Sequence, residues 1–356
     1  MRSVSLPATA DVVVVGTGII GASIGYHLTE QGARVAFVDR AEGVAAGATR
    51  LSGGMVRAYD PDPGVGGLAL AGLERYADPG CWPTGCSPLV EVGSVTIGPR
   101  AAAPVFRDSA RSLNRVFGPS VSVVADAREA MGVGLAGGAA LIEERAGYVS
   151  PPEVTTEWIR HACGSTASLH LGAHVSGVRG HRAGASLLTS AGTIEAGAVV
   201  TAVGGWGTER ISGFPPAHGV RTRSIQVAVV RRPAGAGSHA TFVDLRTGVY
   251  AKPLNGGRSL IGRPHLVWGV PTDPQSPPDP EHTRSTVEAL VDHLPWVAEA
   301  EVIQEIRSFD GYTEKSDVVE EHQDERLWSV RAWNGTGVKV APEVGSTVAE
   351  SVLSRF

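Results

Sequence analysis

The chain has 356 residues, of which 42% are hydrophobic and 19% are charged, and its formal net charge is −5. A single hydrophobic core usually stops growing at about 250–300 residues, so two domains are expected. With 31 basic and 36 acidic residues, the chain lacks the excess of positive charge that binding to nucleic acid or to an anionic membrane surface requires. These numbers predict an ordinary globular protein with no nucleic-acid partner.

The cysteines, the histidines and the N-terminus argue against several other classes of protein. Three cysteines, Cys81, Cys86 and Cys163, are too few and too irregularly spaced for a disulfide framework. The 11 histidines are scattered without carboxylates at ligand spacing, so no metal site is expected. The N-terminus lacks the pattern of a signal peptide, and no apolar run reaches the roughly 20 residues that span a bilayer. We therefore expect a cytoplasmic protein without a membrane span.

The first forty residues predict a βαβ unit. Residues 11–15 are Asp-Val-Val-Val-Val, a run without alternation that is typical of a strand buried on both faces of a parallel sheet. Residues 16–21, Gly-Thr-Gly-Ile-Ile-Gly, end this strand and begin a helix that should stop at Gly32. A second strand at 34–38 then ends at Asp39.

The glycine pattern inside this unit indicates a dinucleotide-binding site. Gly16 permits the tight turn, Gly18 lets a pyrophosphate approach the helix N-terminus, and Gly21 lets the helix pack closely on the strand. Asp39 would accept a hydrogen bond from a ribose hydroxyl, which favours an unphosphorylated adenosine ribose. This fingerprint does not separate FAD from NAD, so an NAD-dependent dehydrogenase remains an alternative at this point.

The rest of the chain predicts further helices and strands. Helices are expected within 58–80, near 101–116, at 151–163, at 281–293 and from about 343. Strands are expected at 93–97, 169–178, 185–189, 198–203, 224–231, 241–245, 248–251, 259–262 and 327–330. The proline-rich residues 271–280 and the acidic run 314–325 are expected to be surface loops.

Three downstream segments carry a resemblance to a known family. Residues 47–57, Gly-Ala-Thr-Arg-Leu-Ser-Gly-Gly-Met-Val-Arg, are similar to the loop after the second strand in the D-amino-acid oxidase and sarcosine/glycine oxidase superfamily. Residues 199–206 resemble that family's V-V-x-A-x-G-x-W segment, and residues 333–342 resemble its C-terminal glycine turn and helix. With the fingerprint, these segments span residues 11 to about 352, which is nearly the whole chain.

The resemblance implies an α/β fold with two domains. A Rossmann-like FAD-binding domain with a parallel sheet is expected from residues 1–84, 146–218 and 306–356. A substrate-binding domain of α+β type, with a mainly antiparallel β-sheet, is expected from residues 85–145 and 219–305.

The resemblance also implies FAD as the cofactor, bound without a covalent link. In the covalent sarcosine oxidases a cysteine two residues before a Tyr-Thr pair bonds the flavin, whereas here Asp310 precedes Tyr312 and Thr313 at that spacing. The residues expected to contact FAD are Gly16, Thr17, Gly18, Ile19, Ile20, Gly21, Asp39, Arg40, Thr49, Ser52, Gly53, Gly54, Met55, Val175, Gly204, Trp206, Gly311, Gly335, Thr336, Gly337, Val338 and Lys339.

By the same resemblance, the chemistry is oxidation of the C–N bond of a carboxylate-bearing amine, an amino acid or N-alkyl amino acid, to an imine by hydride transfer to flavin N5. Arg57 and Lys339 would bind the substrate's carboxylate, and Tyr250 would line the substrate cavity. Two alternatives remain: a non-catalytic or electron-transfer flavin subunit of a hetero-oligomeric dehydrogenase, and an α-hydroxy-acid oxidoreductase. Arg221, Arg223 and Gln226 are further candidates for facing the cavity.

The electron acceptor is either oxygen or another molecule. In the family's oxidases, a lysine two residues before a strand-ending glycine activates oxygen, but Leu260 stands at that position here. Lys252, Arg263 and His265 are candidates to supply the missing charge. The sequence is compatible with either a homo-oligomer or a hetero-oligomer.

Overall fold

The computed structural model describes residues 6–208, 211–214, 219–272, 276–314, 317–322 and 326–356, with the backbone alone at 320–322. The α-helices are α1 (Ile19–Glu30), α2 (Ala48–Leu51), α3 (Pro63–Ala77), α4 (Ala103–Phe117), α5 (Pro151–Gly164), α6 (Pro280–Leu290) and α7 (Gly337–Leu353). Short 3-10 helices are formed by Pro79–Cys81, Arg100–Ala102, Gly204–Trp206 and Pro295–Glu299.

The strands in chain order are β1 (Thr9–Val15), β2 (Val35–Val38), β3 (Met55–Val56), β4 (Val90–Glu91), β5 (Ser94–Gly98), β6 (Val121–Val124), β7 (Glu129–Ala130), β8 (Val133–Gly134), β9 (Ala139–Glu143), β10 (Gly147–Tyr148), β11 (Ser168–His170), β12 (Val175–His181), β13 (Gly184–Thr189), β14 (Gly192–Thr201), β15 (Arg221–Arg231), β16 (Thr241–Asp244), β17 (Tyr250–Leu254), β18 (Arg258–Gly262), β19 (Glu301–Tyr312), β20 (Val319–His322) and β21 (Leu327–Val330).

The first sheet is built around the strand predicted at the start of the chain. Its order is β11-β2-β1-β14-β13-β12, with β21 pairing β14 and β20 pairing β21. Strands β11, β2, β1, β14 and β21 run parallel to their neighbours in this set, so their carboxyl ends meet at one edge of the sheet. Ligands bind outside this edge in open α/β sheets. The parallel sheet therefore already indicates where a site can form.

Helices α1, α5 and α7 share one hydrophobic core that covers a face of the first sheet. Helices α1 and α7 approach each other closely because the residues that face each other are small. A Cβ placed on Gly345 of α7 would overlap Ser23 of α1. The N-termini of α1 and α7 are thereby held near the same sheet edge.

The second sheet has eight strands in the order β19-β15-β18-β17-β16-β5-β9-β6. All its pairings are antiparallel except that of β16 with β5. Its core packs against α6 and contains Phe242, Ile261 and Leu290. An α/β fold with a parallel sheet and a second, mainly antiparallel sheet is therefore confirmed.

The division into domains stays a prediction, but one of its boundaries meets a continuous element. The boundary between residues 305 and 306 falls inside β19, and β19 pairs with β15 along its whole length. Strand pairing places the entire segment Glu301–Tyr312 in the second sheet. This strand was not predicted from the sequence, because its charged residues hide the alternation of an edge strand.

The last helix begins six residues earlier than expected, at Gly337 in place of about 343. Pro342 lies inside this helix, although proline cannot donate a hydrogen bond to the carbonyl four residues before it. That carbonyl belongs to Val338, and it accepts a hydrogen bond from the Tyr76 hydroxyl at 2.8 Å. A side chain from α3 replaces the missing backbone donor, so the helix continues through the proline.

The structure differs in part from the prediction that residues 271–280 and 314–325 form surface loops. The acidic run 314–325 was expected to be a loop, but residues 319–322 form β20, which pairs with β21; residues 315–316 and 323–325 lie outside the described part. In the proline-rich run, residues 273–275 also lie outside it, and Pro280 begins α6 after an Asp279 cap. None of the helices in the described ranges combines the length and the apolar character needed to cross a membrane.

Candidate active site

A cavity of about 930 Å³ lies between the carboxyl edge of the first sheet and one face of the second sheet. It is lined by the ends of β1, β2 and β14, by the N-termini of α1 and α7, and by residues of β15, β16, β17 and β19. Strands from distant parts of the chain thus enclose one elongated space.

The first glycine turn forms one end of this cavity. Gly16 has a φ of +105°, and a Cβ on it would lie 2.6 Å from the carbonyl oxygen of Ala202. A Cβ on Gly21 would overlap the carbonyl oxygen of Gly16. Both positions therefore require glycine, the first for its backbone conformation and the second for the contact between turn and helix.

The N-terminus of α1 faces the cavity without a capping side chain at Gly18 and without an acidic residue in its first turn. The Ile19 amide donates to Thr49 Oγ1 at 3.0 Å. A helix N-terminus with amides directed at a cavity is a favourable place for an anion. This end fits the pyrophosphate of a dinucleotide.

Asp39 is held rigidly at the cavity wall. Its Oδ2 accepts hydrogen bonds from Thr17 N and Thr17 Oγ1, both at 2.7 Å, and its Oδ1 accepts from Ala41 N at 2.9 Å. Thr17 is fully buried and does not line the cavity. Its contribution is therefore to orient Asp39, which does line the cavity.

The C-terminal glycine turn forms another part of the wall. Asn334 accepts from Thr313 N at 2.9 Å and donates to Thr313 O at 3.0 Å, which ties the turn to the end of β19. Gly335 has a φ of +79°, and α7 starts at Gly337 without a side-chain cap or an acidic residue in its first turn. Negative charge placed at this end of the cavity would be stabilised by the helix dipole.

Tryptophan side chains add two buried donors without partners at the same wall. The indole nitrogens of Trp206 and Trp333 are buried and bond to no atom in the described ranges. The Trp206 ring packs against Gly47, where a Cβ would come within 2.8 Å of it, and Arg40 stacks on the ring at 4.9 Å. The N-termini of α1 and α7, the closely packed glycine turns and the two indole donors together fit FAD.

The second sheet supplies a mixed apolar and polar face. Ile225 of β15 lies opposite Ser308 of β19, and Val243 of β16 lies opposite Tyr250 of β17. Tyr250 also faces Gly262, where any side chain would overlap its ring. Burial raises the pKa of Tyr250, so its hydroxyl stays protonated and can act as a hydrogen-bond donor.

A charged cluster of Arg57, Asp60, Glu143 and Lys339 adjoins the cavity, and of these Arg57 and Lys339 line it. The ammonium of Lys339 forms an ion pair with Asp60, and the two side chains are only 4% and 7% exposed. Burial and the Arg57 charge lower the pKa of Lys339 to about 8, although Asp60 opposes this shift. The role of Lys339 in binding the substrate's carboxylate stays a prediction, and in this structure the Lys339 ammonium is paired with Asp60.

Arg57 differs from Lys339 in having no partner for its Nε. This atom is buried and forms no hydrogen bond in the described part of the chain, while the residue lines the cavity. Its backbone segment is fixed by Glu143, whose carboxylate accepts from Ala58 N at 2.7 Å and from Tyr59 N at 3.3 Å. Burial raises the pKa of Glu143.

Sequence reasoning missed Asp60 and Glu143. Glu143 ends an apolar strand and Asp60 precedes a turn, and neither position belongs to a motif. Asp60 lies three residues after Arg57, but only the fold brings it to Lys339 and brings Glu143 to the Arg57 segment, so no sequence signal identified either contact.

A second charged group lines the far part of the same face. Arg223 and Asp310 are register partners on β15 and β19, and the guanidinium of Arg223 lies 4.1 Å from the centre of the Tyr312 ring. Burial raises the pKa of Asp310 to about 6, and Arg223 opposes the shift. Of Arg221, Arg223 and Gln226, which were suggested to face the cavity, only Arg223 lines it. The Gln226 amide donates hydrogen bonds to Asp279 O and Thr283 Oγ1 on the opposite face of the sheet. The Arg221 guanidinium stacks on the Trp268 ring.

Most residues expected to contact FAD or substrate come together in this one cavity, whereas Thr17 and Gly21 lie behind its wall. Those that line it are Gly16, Gly18, Ile19, Ile20, Asp39, Arg40, Thr49, Ser52, Gly53, Gly54, Met55, Arg57, Val175, Gly204, Trp206, Tyr250, Gly311, Gly335, Thr336, Gly337, Val338 and Lys339.

Comparison with known proteins gives a family match over nearly the whole chain. The family described as DAO, FAD dependent oxidoreductase, matches residues 11–351. A comparison with curated proteins found no match.

Solved structures share the fold at low sequence identity. Glycine oxidase from Geobacillus kaustophilus has a TM-score of 0.79 and 23% identity, covering 98% of this chain and 95% of that one. L-proline dehydrogenase from P. horikoshii has a TM-score of 0.84 and 19% identity, covering 98% and 94%. L-α-glycerophosphate oxidase from Mycoplasma pneumoniae, with FAD bound, has a TM-score of 0.80 and 15% identity, covering 97% and 95%.

Proposed function

The chain belongs to the DAO family of FAD-dependent oxidoreductases, and from that premise we propose that it oxidises the C–N bond of an amino acid or an N-alkyl amino acid. FAD as the cofactor is confirmed by the family. The observation that carries the substrate proposal is Arg57, a cavity-lining arginine whose buried Nε has no partner in the described ranges. The Nε of Arg223 in the same cavity is also unpaired in the described part of the chain, but Asp310, its cross-strand partner, already places a carboxyl group beside Arg223. A carboxylate is the group that a buried arginine binds best.

Bound FAD supplies the acceptor for the two electrons removed from the substrate. The residues of this chain would bind and orient the substrate. Arg57 would pair with the carboxylate, and the apolar residues Ile225 and Val243 would exclude water beside it. The protonated Tyr250 hydroxyl would donate a hydrogen bond to the substrate. A fixed orientation of this kind accelerates a reaction by reducing the entropy lost at the transition state.

Two named neighbours support an amine substrate, because glycine and L-proline both carry an amino group beside a carboxylate. The neighbour named as an L-α-glycerophosphate oxidase favours the alternative of a hydroxyl-bearing substrate. Arg57 is compatible with either, since it would recognise the anion and not the group that is oxidised.

Anaerobic mixing of the purified yellow holoenzyme with D-, L- and N-methyl amino acids should bleach the oxidised flavin absorbance band with at least one of them. The α-hydroxy acids of the same side chains should leave it unchanged. Release of ammonia or methylamine, measured after reoxidation, would identify the bond that was oxidised.

Other outcomes of this screen separate the alternatives. Bleaching by hydroxy acids alone would replace the amine substrate with an α-hydroxy acid. A flavin that dithionite reduces but that no candidate substrate reduces would favour a non-catalytic or electron-transfer subunit.

We propose an acceptor other than oxygen for the reduced enzyme. Leu260 packs beside Gly53 of the cavity wall, where its Cδ2 lies 3.9 Å from the position of a Cβ on Gly53. Its cross-strand partner Lys252 is on the same face, but the Lys252 ammonium stacks on the Tyr148 ring at 4.3 Å. An apolar side chain therefore occupies the position where the family's oxidases have a lysine, and we infer slow oxidation of the reduced flavin by oxygen. Because Asp310 stands where the covalent oxidases have a cysteine, we also infer that FAD is bound without a covalent link.

Leu260→Lys should increase the rate at which the reduced flavin is reoxidised by oxygen by about tenfold or more, because a cation stabilises developing superoxide charge. Stopped-flow mixing of reduced enzyme with oxygenated buffer measures this rate directly. Leu266→Lys, a substitution at a side chain that is 69% exposed, is the matched control. If oxygen reoxidises the wild-type flavin rapidly and Lys252→Met abolishes this reaction, then Lys252 supplies the positive charge that assists it.

A further inference from the structure

The ion pair between Asp60 and Lys339 bears on which substrates the cavity accepts. Resting on the proposed function, we propose that Asp60 determines substrate specificity, because its carboxylate already pairs with the Lys339 ammonium. It holds Lys339, leaves Arg57 to bind the substrate's carboxylate at this end of the cavity, and thereby restricts the enzyme to monocarboxylic amines.

Asp60 is anchored through both of its oxygens. Its Oδ2 pairs with the Lys339 ammonium, and its Oδ1 accepts from Asp62 N at 2.9 Å, just before α3. A carboxylate held at both oxygens in a buried position is not readily displaced by an incoming anion.

Lys339 is equally constrained on the other side of the pair. A Cβ on Gly72 of α3 would overlap the Lys339 carbonyl oxygen, so the two helices touch at this residue. The hydrogen bond from Tyr76 to Val338 O fastens the preceding residue as well. These contacts fix the backbone of Lys339, and its ammonium is held by the ion pair with Asp60, which must break before the ammonium can pair with a substrate.

The charges of the cluster explain why one substrate carboxylate is favoured over two. Arg57 and Lys339 carry positive charge, and Asp60 and Glu143 are the acids that face them. A substrate carboxylate on Arg57 therefore enters a group that already contains the carboxylate of Asp60. A further anion nearby would meet like charges in a poorly solvated site, where repulsion is strong.

Asp60→Asn keeps the side-chain shape and an acceptor for Asp62 N but removes the negative charge. Titrating the holoenzyme with acetate and with malonate, followed by the change in flavin absorbance, measures carboxylate affinity without turnover. The variant should bind acetate about tenfold or more tightly than wild type, and malonate should gain at least as much. Equal dissociation constants for the variant and wild type would overturn the proposal.

The gain should depend on pH in a defined direction. Asp60 is one of the groups that raise the pKa of Lys339, which burial and Arg57 lower to about 8. In Asp60→Asn the lysine loses that support and is charged only at lower pH. The tighter acetate binding should therefore be largest well below pH 8 and should fade as the pH rises through that region.

A double variant tests the inference even if Asp60→Asn alone proves unstable. Asp60→Asn with Lys339→Met removes the whole ion pair, so acetate affinity should stay close to wild type. A loss of about tenfold or more would mean that Lys339 binds the carboxylate directly, which contradicts the proposal.

Arg57→Ala in the same titration separates this inference from the proposed function. Acetate binding that survives Arg57→Ala would refute carboxylate recognition by Arg57, and with it the proposed substrate. Binding that is lost in Arg57→Ala but unchanged in Asp60→Asn would refute the role of Asp60 alone.

Discussion

Arg57→Ala is expected to reduce kcat/KM for the amine substrate by about 10²- to 10³-fold, the effect of removing one partner of a buried charged pair. The guanidinium lines the cavity, and its Nε has no other partner in the described part of the chain. Without it, the substrate's carboxylate would be buried beside Asp60 and Glu143 with no counter-charge of its own.

The rate of flavin reduction at several substrate concentrations, measured by anaerobic stopped flow, separates binding from the chemical step. Arg50→Ala is the matched control, because Arg50 lies on the adjacent helix α2 but is exposed and does not line the cavity. A variant at Arg57 that reduces its flavin as fast as wild type at low substrate would disprove the assigned role.

Gly21→Ala should weaken FAD binding by about 100-fold, a typical consequence of forcing a methyl group into a closely packed contact. The new Cβ would overlap the carbonyl oxygen of Gly16, which belongs to the turn at the cavity end. Since both atoms lie on rigid backbone, the turn must move away from the helix N-terminus that we expect to hold the pyrophosphate. Titrating apoprotein with FAD and following the quenching of flavin fluorescence measures the dissociation constant.

Gly43→Ala is the control for this effect, because a Cβ at Gly43 meets no atom within 4 Å and the residue does not line the cavity. Far-ultraviolet circular dichroism of both apoproteins would show whether the fold is retained. If folded Gly21→Ala binds FAD as tightly as the control, the turn is not part of the cofactor site.

The βαβ unit and the fold class could be predicted from the sequence because their signals are local. An uninterrupted Val12–Val15 run can be satisfied only by burial on both faces, and these residues are at most 5% exposed. The contact of Gly21 with Gly16 is likewise made within a few residues, although Gly16 itself packs against the distant Ala202. The start of α7 was predicted too late; the helix continues through Pro342 because a hydrogen-bond donor from another helix, Tyr76, compensates for the proline.

What the sequence by itself determined is therefore the parallel sheet, its glycine turn and the resemblance that points to FAD. Which of the two cations, Arg57 or Lys339, has no acidic partner in the described ranges was decided by the tertiary structure alone. From its own segment, Lys339 was predicted to bind the substrate's carboxylate. The packing of α3 against α7 brings its ammonium to Asp60, 279 residues away in the chain. Burial then makes that pair strong and leaves Arg57 as the partner for an incoming carboxylate, because electrostatic interactions depend on distance and solvation and not on position in the chain.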